Sequence, residues 1–199
     1  MASTAAADWR CALPTLTSRL VTLRELVASD LAPLASLLSL SDAARFGVDE
    51  PDAGVAAHQL IERAARDRAS GLAFTYAITL AATRAFVGVV QVRQLDPAFE
   101  GAECECTIAP AARGTGVFLE TARLAGSFAF ARVGARRLEA RVLLQNGRGN
   151  GAMRKLGAVQ EGVLRRSVRR GEDYVDQVLW SMLEDDWGDH WVSIAPRVH

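Results

Sequence analysis

The sequence is poor in the residues on which several classes of protein depend. Among 199 residues there are three cysteines (Cys11, Cys104 and Cys106), three histidines and a single lysine, Lys155. An odd number of cysteines without framework spacing favours a reducing, cytoplasmic compartment over a disulfide-rich secreted one. No histidine stands at ligand spacing from Cys104 and Cys106, so no metal site is expected. We expect the cysteines to be buried, inert thiols.

The sequence also lacks an excess of charge of either sign and any long apolar run. The 23 basic and 23 acidic residues cancel, which argues against nucleic acid as the main partner. No apolar run approaches the ~20 residues that span a bilayer, so no membrane partner is expected. Residues 1–8 lack the basic start and apolar core of a signal peptide. Half of the residues are hydrophobic, enough for one globular core.

Hydrophobic spacing predicts alternating strands and helices in one domain. The predicted strands are 19–26, 72–80, 84–95, 103–109 and 136–144, followed by a hairpin that begins near residue 159. The predicted helices are a segment after residue 30, then 53–69, 119–133 and a short helix at 151–158 that follows a loop, 145–151. The predicted domain is 17–187, with an N-terminal lead-in at 1–16 and a C-terminal tail at 188–199.

The segment with the clearest chemical pattern is CTIAPAARGTG, where a strand ends, a glycine-rich loop follows and a helix begins. Glycines bring backbone N–H groups close to a ligand, and a helix start leaves such groups unpaired, so the loop is suited to phosphate. The spacing excludes a P-loop, which needs Gly-Lys-Ser/Thr, and the dinucleotide fingerprint, which needs a third glycine. A tight strand-to-helix turn without a ligand remains the alternative.

The order of elements, together with RGTGV at 113–117 and QNGRGNGAMRKLGAVQEGVLRR at 145–166, resembles the GNAT superfamily of N-acetyltransferases. Within it, the sequence is similar to the RimJ/RimL-like, ribosomal-protein type. The resemblance implies an α+β fold: a mixed, mostly antiparallel sheet of about seven strands, splayed at strands 4 and 5, with helices on both faces.

The same resemblance implies that acetyl-CoA binds as a cosubstrate, without metal. Loop amides would hold the pyrophosphate, and a strand edge would pair with the pantetheine arm. Phe118 stands where the family pattern has its last Gly or Ala, and it is expected to narrow the pyrophosphate end. The residues implied to contact the cofactor are Thr107, Ile108, Ala109, Arg113, Gly114, Thr115, Gly116, Val117, Phe118, Leu119, Asn146 and Arg148.

Acetyl transfer to an amine needs a base, because an alkylammonium has a pKa near 10. Glu103 and Glu105 share one face of a predicted strand, with Cys104 and Cys106 on the other. Glu103 matches the glutamate base of some superfamily members and is the first candidate; Glu105 is the second. A general acid is missing, because Gly149 stands where this type commonly has serine.

The predicted function is therefore transfer of an acetyl group to a primary amine, by direct attack in a ternary complex. The acceptor is a protein N-terminus or a small-molecule amine, and a homodimer is compatible with the resemblance. Two alternatives stay open: a catalytically inactive CoA- or acyl-CoA-binding domain, suggested by the missing acid, and an enzyme of the same fold that uses another acyl-CoA.

Overall fold

A computed structural model of the chain describes residues 8–45, 52–170 and 172–187. Within these ranges, eight strands form one sheet in the order β1-β2-β3-β4-β5-β6-β8-β7. The strands are β1 (Leu16–Thr17), β2 (Val21–Glu25), β3 (Ala73–Leu80), β4 (Phe86–Gln94), β5 (Gly101–Ile108), β6 (Arg137–Leu143), β7 (Val159–Arg170) and β8 (Asp173–Leu183). The helices are α1 (Leu31–Arg45), α2 (Ala53–Ala69), α3 (Val117–Phe128) and α4 (Gly147–Leu156).

The sheet is mixed and mostly antiparallel, as predicted. Only β5 and β6 run parallel; every other neighbouring pair in the described sheet is antiparallel. The two-residue β1 raises the number of strands from about seven to eight. No helix in the described ranges is long and apolar enough to cross a membrane.

Helices cover both faces of the sheet, and successive side chains of β4 pack into two different apolar clusters. Val89 packs with Leu34, Leu37 and Ala57 of α1 and α2. We call this the α1–α2 face. Val90 belongs to the larger cluster with Phe128 of α3, on what we call the α3 face. An alternation of this kind indicates a strand that is buried on both sides.

The ends of two helices differ from the sequence prediction. Helix α3 begins at Val117 rather than at residue 119, and after Phe128 the chain continues as a π-helical turn, Ala129–Val133. Helix α4 begins at Gly147, within the segment predicted as a loop. The cause is a cap: the side chain of Asn146 accepts a hydrogen bond of 2.9 Å from the backbone N–H of Gly149, which offsets the low helix propensity of the glycines.

Both ends of the described chain are fixed to the core. Trp9 is buried against Phe74, and the Tyr76 hydroxyl donates a hydrogen bond of 3.0 Å to the Pro14 carbonyl oxygen, so the lead-in packs on the domain from residue 9 onward. At the other end, Trp187 donates to the Ser127 hydroxyl at 3.0 Å. The predicted tail, 188–199, lies outside the described residues.

Strand β7 forms one outer edge of the sheet and is irregular. Its pairing with β8 shifts register between Gln160 and Gly162 and again between Leu164 and Val168. In the second irregularity Arg166 has a φ of 49°. Its N–H group donates to the Asp176 carboxylate at 2.8 Å, so this part of β7 leaves the regular ladder.

Gly88 allows β4 and β5 to approach where β5 ends. A Cβ atom at Gly88 would lie 2.3 Å from the Thr107 carbonyl oxygen. We therefore expect Gly88→Ala to lower the free energy of unfolding by about 1–3 kcal/mol, as overpacking typically does. The measurement is urea denaturation. Gly162→Ala, with open space around its Cβ, is the matched control and should change stability by less than about 0.5 kcal/mol. Equal stability of the two variants would contradict the prediction.

The three thiols should differ in reactivity. Burial, with the nearby charges of Glu105 and Glu103, raises the pKa of Cys104 to about 12, and burial raises that of Cys106 well above its usual value. At pH 8 only about one Cys104 in ten thousand is then the reactive thiolate. Cys11 is exposed, contrary to the prediction.

We expect an aromatic disulfide reagent to label one thiol rapidly in the native protein and three in denaturant. The Cys11→Ser variant should lose the rapid phase. Rapid native labelling that persists in this variant would show that a β5 thiol is accessible.

Candidate functional site

The sheet opens between its two parallel strands. Strands β5 and β6 pair only at Gly101↔Arg137, Ala102↔Leu138 and Glu103↔Glu139. Beyond these pairs β5 continues along β4, and β6 continues along β8. We call the resulting wedge, between residues 104–108 of β5 and 140–143 of β6, the fork. It is the predicted splay, shifted to the fifth and sixth strands because β1 adds one to the count.

Backbone groups of β5 line the fork without a strand partner. The Gly101 carbonyl accepts from Leu95 N–H, and Ala109 N–H donates to the Val87 carbonyl, both at 2.8 Å, so the odd-numbered residues bond on the β4 side. Because bonding direction alternates along a strand, Cys106 and Ile108 direct their backbone groups toward the fork. Of the three residues predicted to pair with the cofactor, Thr107, Ile108 and Ala109, only Ile108 directs its backbone N–H and C=O groups into the fork.

The glycine loop stands at the open end of the fork. Gly114 and Gly116 have φ values of 81° and 90°, which glycine adopts without strain. The Arg113 Nε donates to the Ile108 carbonyl oxygen at 3.0 Å, and the Thr115 hydroxyl donates to the Ala112 carbonyl oxygen at 2.7 Å. These bonds fix the loop to the strand that precedes it.

The loop leads directly into a helix start that can hold an anion. The first backbone bond of α3 runs from Glu120 N–H to the Gly116 carbonyl at 3.1 Å. The N–H groups of Val117, Phe118 and Leu119 therefore have no acceptor within the helix, and the helix dipole adds partial positive charge there. Phe118, in the first turn of α3, is partly buried and packs against the larger apolar cluster.

The other side of the fork ends in the start of α4. Asn146 is exposed and caps this helix, and Arg148 is exposed in its first turn. A Cβ atom at Gly149 would lie 2.7 Å from Asn146 Nδ2 and 2.9 Å from Val142 Cγ1. The absence of a side chain at Gly149 therefore lets the Asn146 side chain fold over the helix start.

Sequence reasoning missed Asn150, which holds this side of the fork together. Its side chain is buried. Its Nδ2 donates to the carbonyl oxygens of Leu143 and Asn146 at 3.0 and 2.9 Å, and its Oδ1 accepts from Trp180 Nε1 at 3.0 Å. One residue thus joins β6, α4 and β8. The sequence does place a second asparagine one helical turn after Asn146. The surrounding glycines led to the prediction of a loop there, so this helical spacing was not recognised.

Both candidate bases share one face of β5, as predicted. This is the α1–α2 face, and the two residues have different surroundings. Glu103 is 13% exposed. One of its oxygens pairs with Arg93 and the other lies 3.3 Å from Arg141 Nε. Glu105, two residues farther into the fork, is exposed and stands opposite Gln91 of β4. The two candidate carboxylates therefore differ in burial: Glu103 lies largely buried between two arginines, whereas Glu105 is exposed.

Neither tyrosine supplies an acid at the fork. The Tyr76 hydroxyl is bonded to Pro14, and burial raises its pKa far above the usual value. Tyr174 is 57% exposed near the start of β8. Within the described ranges, no group of three or more His, Cys, Asp or Glu side chains is placed to hold a metal ion.

Solved acetyltransferases share this architecture. The Mycobacterium smegmatis RimJ in complex with CoA-disulfide is 18% identical, covers 90% of this chain and 93% of its own, and has a TM-score of 0.77. The Vibrio fischeri ribosomal-protein-S5-alanine acetyltransferase is 17% identical, with coverage of 87% and 98% and a TM-score of 0.76. RimL, the ribosomal L7/L12 alpha-N-protein acetyltransferase in complex with coenzyme A, is 18% identical, with coverage of 87% and 99% and a TM-score of 0.76.

At these identities the structures show a common fold. No curated protein is significantly similar in sequence. The family model described as "Acetyltransferase (GNAT) domain" matches residues 20–159, which is more than half of the chain and includes the fork, the glycine loop and α4. The chain therefore belongs to the GNAT acetyltransferase family.

Proposed function

We propose that this protein is an N-acetyltransferase that moves an acetyl group from acetyl-CoA to a primary amine. The observation that supports this most directly is the junction of the fork with the glycine loop and the open amides of α3. It combines an unpaired strand edge, which suits the amides of a pantetheine arm, with an anion site at the end of the same strand.

The proposed cofactor position follows from these groups. The pyrophosphate lies on the N–H groups of residues 114–119, with Asn146 and Arg148 across the open end. The pantetheine amides pair with the backbone of Ile108 and Cys106. This order directs the thioester away from the loop and toward the closed end of the fork, near the level of Glu105.

In the proposed reaction the amine nitrogen attacks the thioester carbonyl, and the carbon–sulfur bond then breaks. Glu105 accepts the proton that the amine loses, because it is exposed on the α1–α2 face, from which an acceptor can approach. Glu103 is less suited, since both its oxygens are paired with arginines. Because a thiol has a pKa near 8.5, the CoA thiolate is stable enough to leave without protonation by a protein acid.

The acceptor is a protein N-terminus or a small amine. RimL is named as an alpha-N-protein acetyltransferase of ribosomal L7/L12. A further structural neighbour, 17% identical with a TM-score of 0.71, is the microcin C7 self-immunity acetyltransferase MccE, solved with acetyl-CoA and AMP. The formal net charge of zero favours neither class.

The absence of a hydroxyl at Gly149 supports a second candidate, an acyl-CoA-binding domain without transferase activity. Calorimetric titration with acetyl-CoA and a thiol-release assay over an amine panel separate the two. Binding together with amine-dependent thiol release supports the enzyme. Binding without release from any amine supports the second candidate.

The prediction for the glycine loop compares Gly116 with Gly134, because both have a positive φ of similar size. In Gly116→Ala, a side chain at φ 90° moves the loop out of the conformation that aligns the amides. We expect acetyl-CoA to bind more than tenfold more weakly, about 1.4 kcal/mol. The measurement is calorimetric titration. Gly134→Ala, at φ 98° with open space around its Cβ, carries the same strain away from the fork and should keep its affinity. Equal affinities would remove the loop from the site.

The base prediction compares the two glutamates. Glu105→Gln should lower kcat/KM by about 10²–10⁴-fold, the usual contribution of a general base, and leave acetyl-CoA affinity unchanged. The loss should shrink as pH rises toward the pKa of the amine, because free amine then forms without help. Glu103→Gln should show no such recovery with pH. The measurement is kcat/KM against pH for both variants, and a pH-dependent loss confined to Glu103→Gln would transfer the role to Glu103.

A further inference from the structure

We propose that Arg93, Glu103 and Arg141 form a tie across the closed end of the fork, and that this tie limits the length of the acyl group. The inference rests on the proposed function, because it assumes an acyl-CoA in the fork. It assigns Glu103 a positioning role and gives the two arginines a role in substrate selection.

The tie connects three neighbouring strands through one carboxylate. Arg93 of β4 is the direct cross-strand partner of Glu103 of β5 and pairs with one carboxylate oxygen. Arg141 of β6 lies 3.3 Å from the other oxygen through its Nε. Both arginines are partly exposed, 52% and 40%, whereas Glu103 is 13% exposed. The carboxylate is thus at the centre, with a cation on each side.

The tie lies where the strands separate. Glu103↔Glu139 is the last parallel pair, and Arg141 is two residues beyond Glu139. The contact between Arg141 and Glu103 therefore spans β5 and β6 one step past the last backbone pairing. Glu139, the nearest carboxylate along β6, is engaged elsewhere, at 3.0 Å from Arg137. The contact between Arg141 and Glu103 therefore adds a side-chain link between the two strands just beyond their three backbone pairs.

The acyl end of the proposed ligand points at this tie. The pyrophosphate site at residues 114–119 marks the open end, and the pairing groups of Ile108 and Cys106 lead inward from it. The next residue along β5 in that direction with its side chain on the α1–α2 face, after Glu105, is Glu103. An acyl group that emerges on this face beside Glu105 thus meets the tie if the chain is extended.

Charged groups make an effective stop for an apolar chain. A longer acyl group has to separate the ion pairs or place CH₂ groups against a partly buried carboxylate, and both strip polar groups of their partners. A hydrophobic pocket without such a stop discriminates by only about 10–200-fold per methylene. The fork of the unmodified protein should therefore favour acetyl over longer acyl groups.

The test measures selectivity among acyl-CoA thioesters of increasing length. Dissociation constants for acetyl-, propionyl- and butyryl-CoA are measured by calorimetry, and turnover is measured with an accepted amine. Arg141→Met removes the cation and keeps an unbranched side chain. We expect the ratio of butyryl-CoA to acetyl-CoA affinity to rise about tenfold or more. Arg141→Lys, which keeps the charge, should stay close to the unmodified protein.

Arg136→Met is the matched control. Arg136 precedes β6 and pairs with Glu100 at 3.8 Å, at the opposite end of the strand pair, with both side chains well exposed. Its loss should leave the selectivity ratio unchanged. Thermal denaturation of each variant separates a change of selectivity from a loss of folded protein.

The outcomes separate the tie from the proposed function. A ratio that shifts in Arg141→Met and returns in Arg141→Lys supports the tie, even if no amine in the panel is acetylated and the transferase proposal fails. Normal turnover with an unchanged ratio in folded Arg141→Met, or an equal shift in Arg136→Met, overturns the tie alone. Failure of the unmodified protein to bind any acyl-CoA overturns both.

Discussion

The parallel pairing of β5 and β6 stops after three residue pairs, and the rest of the candidate site depends on that. Each strand has a complete partner on its other side, β4 for β5 and β8 for β6, so neither loses its own ladder when the two separate. The separation leaves backbone groups of Cys106 and Ile108 without a strand partner. Because unpaired backbone groups are costly to bury, this opening is suited to a ligand that carries amides of its own.

Two kinds of contact hold the separated strands in position. At the open end, Arg113 donates a hydrogen bond to the last carbonyl oxygen of β5, and Asn150 donates one to the last carbonyl oxygen of β6. At the closed end, Glu103 is paired with arginines of both flanking strands. The fork therefore has fixed ends on both sides, which is the preorganisation that binding and catalysis require.

Much of the fold could be predicted from the sequence, because the spacing of hydrophobic residues shows which side of a strand or helix is buried. The prediction of α2 at 53–69 is confirmed, and alternation placed Glu103 and Glu105 on the face opposite Cys104 and Cys106. Periodicity carries no information on which residues meet across strands. It therefore could not show that Glu103 lies between Arg93 and Arg141, or that Asn150 joins α4 to Trp180. The start of α4 was missed because a side-chain cap outweighed the glycines.

The irregular edge of β7 has a consequence for self-association. A continuous sheet across two copies of the chain would need a regular row of free N–H and C=O groups along that strand. The two register shifts, and the left-handed Arg166 with its N–H bonded to Asp176, interrupt this row. Such interruptions protect natural sheets from edge-to-edge growth. The β7 edge is therefore a poor place for a second copy of this protein to extend the sheet.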